Sequence, residues 1–330
     1  LATIPTINAE CHLIHGDRLK RFMQAISSIP EGEDAVSLQI GNYSIDEDAT
    51  AWLNGNKLFQ RHAVIVGSTG SGKSWCVAKI LEQVASLKSA DAILFDIHGE
   101  YSTLQGDSFT HLKVAGPNDE MGDGMLFLPY WLLTYEEMLS LMLDRSDNNA
   151  PNQAMMFSSA VIDGKKQFLI DADKAEMEAN ITLDSPIPYN LDTLLSSLKS
   201  KDEEMVPGAK VGTEKQGPYF GKLTRFIQRL ETKQKDKRLN FMFASDVSLL
   251  SYNYMGELCS KLMLPSVAGK KGVKIIDFSE VPSDILPLIV SLIARVIFSV
   301  QQWTTVEHRH PIAIFCDEAH LYIPANTEKR

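Results

Sequence analysis

Residues 67–74 read GSTGSGKS, the spacing of a loop built to wrap phosphates. Glycines at 67, 70 and 72 let the backbone close around an anion, and a helix that starts there brings its positive end to the same point. Lys73 adds a mobile cation for the β and γ phosphates, and the Ser74 hydroxyl completes a magnesium shell. Gly67, Ser68, Thr69, Gly70, Ser71, Gly72, Lys73 and Ser74 are together the expected cradle for ATP and Mg2+. A second apolar run, IAIFCDEAH (312–320), carries two carboxylates. Asp317, at the end of a buried strand, is the expected magnesium ligand beside Ser74, and Glu318 is the expected base that orients and partly deprotonates an attacking water. A lone acidic pair at a strand end is ordinarily just solvated, so its chemical reading depends on the P-loop in the same chain.

A third group lies between these two. DIHGEY (96–101) follows another apolar run and places Asp96, His98 and Glu100 near the carboxyl ends of the sheet, where ligands bind in open α/β folds. Glu100 could contact nucleotide or water, or face solvent or a neighbouring subunit; Asp96 could brace the phosphate loop. A separate metal site there is chemically possible, but a nucleotide-bound magnesium already accounts for local carboxylates. The pairs His12/His15 and His308/His310 lack a further set of ligands.

Such residues need strands and helices to position them. HAVIVG (62–67) reads as a strand, and WCVAKILEQVASL (75–87) has helical periodicity with apolar residues at 77, 80, 81, 84 and 87. With AILFDI (92–97) they form an expected βαβ unit over 62–97. Further strands are expected at LNFMFA (239–244), VKIIDF (273–278) and IAIFCD (312–317), giving a mainly parallel sheet buried on both faces. Between about 120 and 235 the pattern is mainly helical, with helices expected at 132–143, 154–162, 191–198 and 219–230. The charged, Gly- and Pro-containing segment 199–218 reads as an exposed loop, and residues 1–60 as small strands and turns. The division expected is a partial N-terminal β lobe and linker over 1–57 and an α/β ATPase core over 58–330 with a helical insertion.

Composition sets the limits. The chain has 330 residues, 44% hydrophobic and 22% charged, and a formal charge of -10. That charge argues against a surface uniformly coated for nucleic acid, but not against a few channel lysines, for which GKKGVK (269–274) and KQKDKR (233–238) are candidates beside the simpler reading of solvated loops. The most apolar stretch, 285–300, contains Pro287 and Arg295 and reads as a buried helix, so stable membrane insertion is not expected. Cysteines at 11, 76, 259 and 316 show no pairing or metal-ligand spacing and fit a reducing, cytoplasmic setting.

At LFQRHAVIVGSTGSGKS (58–74), DIHGEY (96–101) and FCDEAHLYIP (315–324) the chain resembles the HerA/FtsK superfamily, nearest to HerA-type DNA translocases. The resemblance implies a RecA-like P-loop NTPase core, a hexameric ring, an N-terminal β-barrel and ATP-driven movement of duplex DNA. It matches Lys73 and Ser74 to the phosphate and magnesium residues, Asp317 to the metal carboxylate and Glu318 to the catalytic glutamate. Arg61, in the QRH element, matches an arginine that reaches a neighbouring subunit's nucleotide; otherwise it is a strand-flanking arginine paired with a carboxylate. Two departures stand out: residues 1–57 are short for a barrel, and the later strand, polar sensor and second arginine of family cores have no assignable match. Partners implied are a homo-oligomer, duplex DNA, and a nuclease or SIR2-like effector, the last in antiviral defence. A nucleotide-gated ring scaffold without translocation, or a secretion-type pump motor, are the alternatives.

Overall fold

A computed structural model describes residues 8–27, 36–87, 90–210, 212–263, 272–309 and 311–323. The chain opens with helix α1 (Gly16–Ser27), then the hairpin β1 (Ser37–Tyr43) and β2 (Asp46–Asn54), then the short helix α2 (Gly55–Phe59). The N-terminal region is therefore part helical, against the expectation of strands and turns alone. Leu19 is the single buried residue of α1, and that helix lies against β2. Leu19, Phe22, Met23 and Ile26 recur at helical spacing in α1, a period that the reading as strands and turns misses.

Helix α3 (Lys73–Ala85) leads to β3 (Asp91–Asp96), β4 (Phe109–Val114) and β5 (Met125–Leu126). Helices α4 (Tyr135–Met142), α5 (Ala150–Asp171) and α6 (Leu191–Asp202) follow, then the small hairpin β6 (Met205–Pro207) and β7 (Glu214–Gln216), then α7 (Thr224–Gln234), α8 (Asn240–Phe243) and α9 (Tyr254–Met263). The chain returns to the sheet with β8 (Val273–Asp277), crosses α10 (Leu286–Trp303) and ends its described part after β9 (Ile312–Cys316). The central sheet is five-stranded and parallel in the order β5-β4-β8-β3-β9.

Each face of that sheet has its own core. Ile93 and Phe95 of β3 point into the cluster formed with the insertion helices and α10, whereas Ala92 and Leu94 point into the cluster with Ile80, Leu81 and Val84 of α3 and Leu38 of β1. Apolar residues on both faces are what a covered parallel strand requires, and they account for the largely apolar runs at 92–97 and 273–278, interrupted by Asp96, Lys274 and Asp277.

Two expected strands are not strands. LNFMFA contributes a turn and α8; Phe241, Met242 and Phe243 are all buried, and the Phe241 carbonyl accepts the Leu128 N–H at 2.8 Å. A run of consecutive apolar residues lacks the period that separates a buried helix from a strand. HAVIVG pairs with no strand among the described residues, and Val64 and Val66 are 83% and 84% exposed. The edge strand β9 is not brought alongside it, and its Ile314 stays exposed. The βαβ unit is thus only its helix and second strand. In their place the sheet takes β4 and β5. His111 and Lys113, interleaved with Leu112 and Val114, hide β4 from an apolar-run reading.

Between β5 and β8 the described chain is mainly helical up to Met263. Within 199–218 the expected loop contains the end of α6 and the β6–β7 hairpin. Helix α10 is long and apolar enough by composition to cross a membrane, but Ile289, Leu292, Ile293 and Val296 are buried in the core. Arg295 there donates to the Leu132 carbonyl at 3.0 Å and to Glu137 at 2.8 Å. Glu137 also forms a capping box with Thr134, so one carboxylate ties α10 to the start of α4.

Candidate nucleotide site

The phosphate loop is shaped by its glycines. Gly70 and Gly72 have φ of +78° and +89°, left-handed values that favour glycine, and Gly72 is the N-cap of α3. A Cβ on Gly67 would fall 2.2 Å from the Ser71 hydroxyl. The Ser71 N–H closes a turn on the Ser68 carbonyl at 3.1 Å, and Lys73 Nζ folds back to that same carbonyl at 3.4 Å. Lysine and helix start therefore meet at one loop, the arrangement that attracts a polyphosphate.

Carboxylates gather at the C-terminal ends of β8, β3 and β9, which carry Asp277, Asp96 and Asp317. Asp96 is 1% exposed and fully engaged: it accepts N–H bonds from Gly99 at 2.8 Å and from Glu100 and Tyr101 at 3.1 Å. Burial pushes its carboxyl above the ordinary value, the N–H bonds pull it back, and nearby Asp277 raises it again. Asp96 therefore braces the 97–101 turn. Burial likewise raises the Asp317 carboxyl; the Glu318 N–H opposes this, and the charges of Glu318, Glu100 and Asp96 add to it. Asp317 is anchored by its N–H on the Phe95 carbonyl at 3.3 Å and by its carbonyl, which accepts the Tyr322 hydroxyl at 2.9 Å.

Glu318 sits at φ 44°, ψ 42°, a left-handed conformation that costs a non-glycine residue about 1 kcal/mol or more. Its carboxylate is 3.2 Å from His320 Nδ1. Glu100 and His98 are exposed at the turn that Asp96 holds, and Arg61 is exposed ahead of the phosphate loop. The sequence reading misses Tyr101. Its ring is buried against Ile80, Leu81 and Val84 of α3, and the groups around its hydroxyl include Ser74 and Asp317. Burial, then the Asp317 charge, push the phenol well above its ordinary value and keep it protonated. Its place as the last residue of DIHGEY is the only sequence signal.

The residues fit a hard divalent cation and a triphosphate. Ser74 and Asp317 offer oxygen ligands, the glycine cradle is open, and a buried tyrosine hydroxyl beside Ser74 makes no hydrogen bond of good geometry. Among the described residues no group of three His, Cys, Asp or Glu side chains is placed to hold a metal alone, so a magnesium here would take its remaining oxygens from nucleotide and water. Of the two lysine runs, Lys274 of GKKGVK is buried in β8 and bonded to the Lys261 carbonyl, while residues 269–271 lie outside the described residues. In KQKDKR, Lys235 and Lys237 are exposed, and Arg238 is bound to Asp236 at 2.7 Å.

A parallel α/β sheet with a glycine loop opening a helix and carboxylates at the strand ends defines a RecA-like P-loop NTPase. Residues 38–297 match the family model "Helicase HerA, central domain", and the chain belongs to that family within the HerA/FtsK superfamily. Over 71 residues it is 42% identical to "Probable helicase MJ1565" of Methanocaldococcus jannaschii, a stretch covering 22% of this chain and 14% of that protein. Over 81 residues it is 33% identical to "Probable DNA double-strand break repair helicase HerA" of the same organism, covering 24% and 16%. The matched stretches are thus a small part of either relative's length. The bacterial conjugative coupling protein TrwBdeltaN70, in its unbound monoclinic form, superposes with a TM-score of 0.43 at 15% identity, covering 91% of this chain and 61% of that one.

Proposed function

We propose that this chain is the motor core of an ATP-driven duplex-DNA translocase that works as a homo-hexameric ring beside a nuclease or SIR2-like effector. One observation carries the reading: Ser74 at the start of α3 and Asp317 at the end of β9 both border the Tyr101 hydroxyl, with Glu318 next in the chain held in a left-handed turn. Lys73 and the loop glycines hold the phosphates, and Ser74 and Asp317 hold the magnesium. When bound, that ion neutralises charge on the phosphate oxygens. Glu318 accepts a proton from the water it orients toward the γ phosphate.

Arg61 is exposed and free to serve a neighbour's nucleotide in trans, where a guanidinium stabilises charge on the transferring phosphoryl group. Exposed Val64, Val66 and Trp75, which flank the phosphate loop in sequence, suit a subunit interface. Contact with DNA falls to backbone-directed cations. Arg225, Arg229 and Lys233, one helical turn apart on α7, line a cleft of about 610 Å³ with Asp144 and Leu141.

The test is turnover with and without duplex DNA, combined with displacement of a bound roadblock and a native mass. A hexamer whose hydrolysis rises with duplex and which clears the roadblock supports the motor. Nucleotide-dependent ring formation without either effect would replace it with a scaffold that activates its effector. Neither ring nor hydrolysis would reject both.

A further inference from the structure

The ring of Tyr101 is fully accounted for by packing, and its hydroxyl is not. The side chain is 2% exposed and lies between the sheet and α3, in contact range of the cluster of Ile80, Leu81, Val84 and Leu94. Asp96 fixes the backbone beneath it by accepting the Tyr101 N–H at 3.1 Å. The hydroxyl ends among Ser74, Asp317, Asp96 and Glu100; only Ser74 is near enough to influence it as a hydrogen-bonding neighbour, and the two do not meet in hydrogen-bond geometry. A buried hydroxyl left unbonded costs about 1–3 kcal/mol, so such a group normally has a partner that arrives with a ligand. The two other buried unbonded nitrogens among the described residues lie elsewhere: Trp52 Nε1 is in the N-terminal hairpin, and Arg295 bonds through another nitrogen.

We propose that Tyr101 is a positioning residue of the nucleotide site, whose hydroxyl donates to an oxygen of the bound magnesium–nucleotide complex between Ser74 and Asp317. This rests on the nucleotide-site reading given above and adds to it a donor on a third element. Its placement has a structural consequence. Through Asp96 and the 97–101 turn, the end of β3 is joined to the same ligand that joins α3 and β9, so binding adds a polar tie from α3 to the paired strands β3 and β9. A phenol suits this position because it donates without adding charge, whereas the neighbouring carboxylates can only accept when ionised.

Tyr101→Phe removes the hydroxyl and keeps the ring. Fluorescently labelled ATP is titrated into the intact wild type and variant, once with excess magnesium and once with EDTA, and the thermal midpoint of each protein is measured without nucleotide. In magnesium the variant should bind about tenfold more weakly, while in EDTA the two proteins bind alike. The nucleotide-free variant should melt at the same temperature as wild type or slightly higher, since an unbonded buried hydroxyl has been removed. An equal magnesium-to-EDTA affinity ratio in both proteins would overturn the proposal, as would a clearly lower melting temperature, which would show that the hydroxyl is bonded within the protein. Wild type that binds in neither arm would overturn the nucleotide-site reading itself, and this proposal with it.

Discussion

The Glu318 carboxylate rests 3.2 Å from the Nδ1 of His320, and the backbone of Glu318 is left-handed at φ 44°. Backbone strain of this kind, next to the proposed magnesium ligand Asp317, motivates the proposal that Glu318 is positioned for chemistry. Glu318→Gln keeps the shape and removes the proposed base. We expect ATP affinity to stay within a few-fold of wild type while single-turnover hydrolysis falls by at least about 100-fold. Lys73→Ala should instead abolish measurable binding. Normal hydrolysis by Glu318→Gln would remove the residue from the mechanism.

Glu318→Gly separates strain from chemistry. Glycine adopts φ 44° without penalty, so the variant should unfold at higher denaturant, by about 1 kcal/mol, while losing turnover. A stability loss would mean that Glu318 contributes contacts outweighing its backbone strain.

Asp96 gives the complementary case of a site residue with a structural task. Its replacement by alanine leaves the N–H groups of Gly99, Glu100 and Tyr101 without their acceptor in a buried turn. Urea unfolding should show a loss of about 2–4 kcal/mol. Asp96→Asn retains one acceptor oxygen and should lose clearly less.

The chemistry-bearing segments are legible in the sequence because their spacing is local: phosphate cradle, lysine and hydroxyl fall within eight residues, and Asp317 and Glu318 are adjacent. The strands at 92–97 and 273–278 are legible because both faces are covered, which forces apolar residues at successive positions such as 92–95 and 275–276. The same rule misleads at 239–244, where a buried helical turn produces an identical run, and at 62–67, where an apolar run remains exposed. Tyr101 is illegible for a different reason. Nothing in its sequence neighbourhood says that Ser74, 27 positions earlier, and Asp317, far later, converge on its hydroxyl; only the sheet order does.

Lys165 supplies a pH signature of the insertion. It is 1% exposed, donates to the Leu183 and Ser185 carbonyls at 2.6 Å, and burial lowers its pKa to about 8 from 10.5. The folded state thus releases this proton before the unfolded chain does, so from pH 8 to 10.5 the unfolded state binds more protons and stability rises with pH. Below pH 8 the lysine is charged in both states and the desolvation cost is fully present. Lys165→Met removes this component. The stability of wild type minus that of the variant should climb by up to about 3 kcal/mol across the window. Lys274, lowered to about 8 in the same way, is common to both proteins and cancels. A flat difference would place Lys165 in a wetter site than its burial implies.

The cations of α7 test how the chain would hold DNA. Arg225, Arg229 and Lys233 recur every four residues and so share one helix face, bordering the cleft with Leu141 and Asp144. Arg229 is bound to Asp144 at 2.6 Å, which offsets its charge and leaves Arg225 and Lys233 as the residues to change. If both meet phosphates, each alanine substitution removes one released counterion, and the slope of log affinity against log salt should shrink by roughly 0.9 per residue for duplex DNA. The loss should be the same for unrelated duplex sequences, because phosphate contacts carry no base information. ATP binding without DNA should not change, since α7 lies in the insertion and contributes nothing to the phosphate loop. The measurement is a salt series of duplex affinity for wild type, Arg225→Ala, Lys233→Ala and the double variant. A double variant with the wild-type slope would show that phosphates are met by another surface, and sequence-dependent losses would point to base contacts instead.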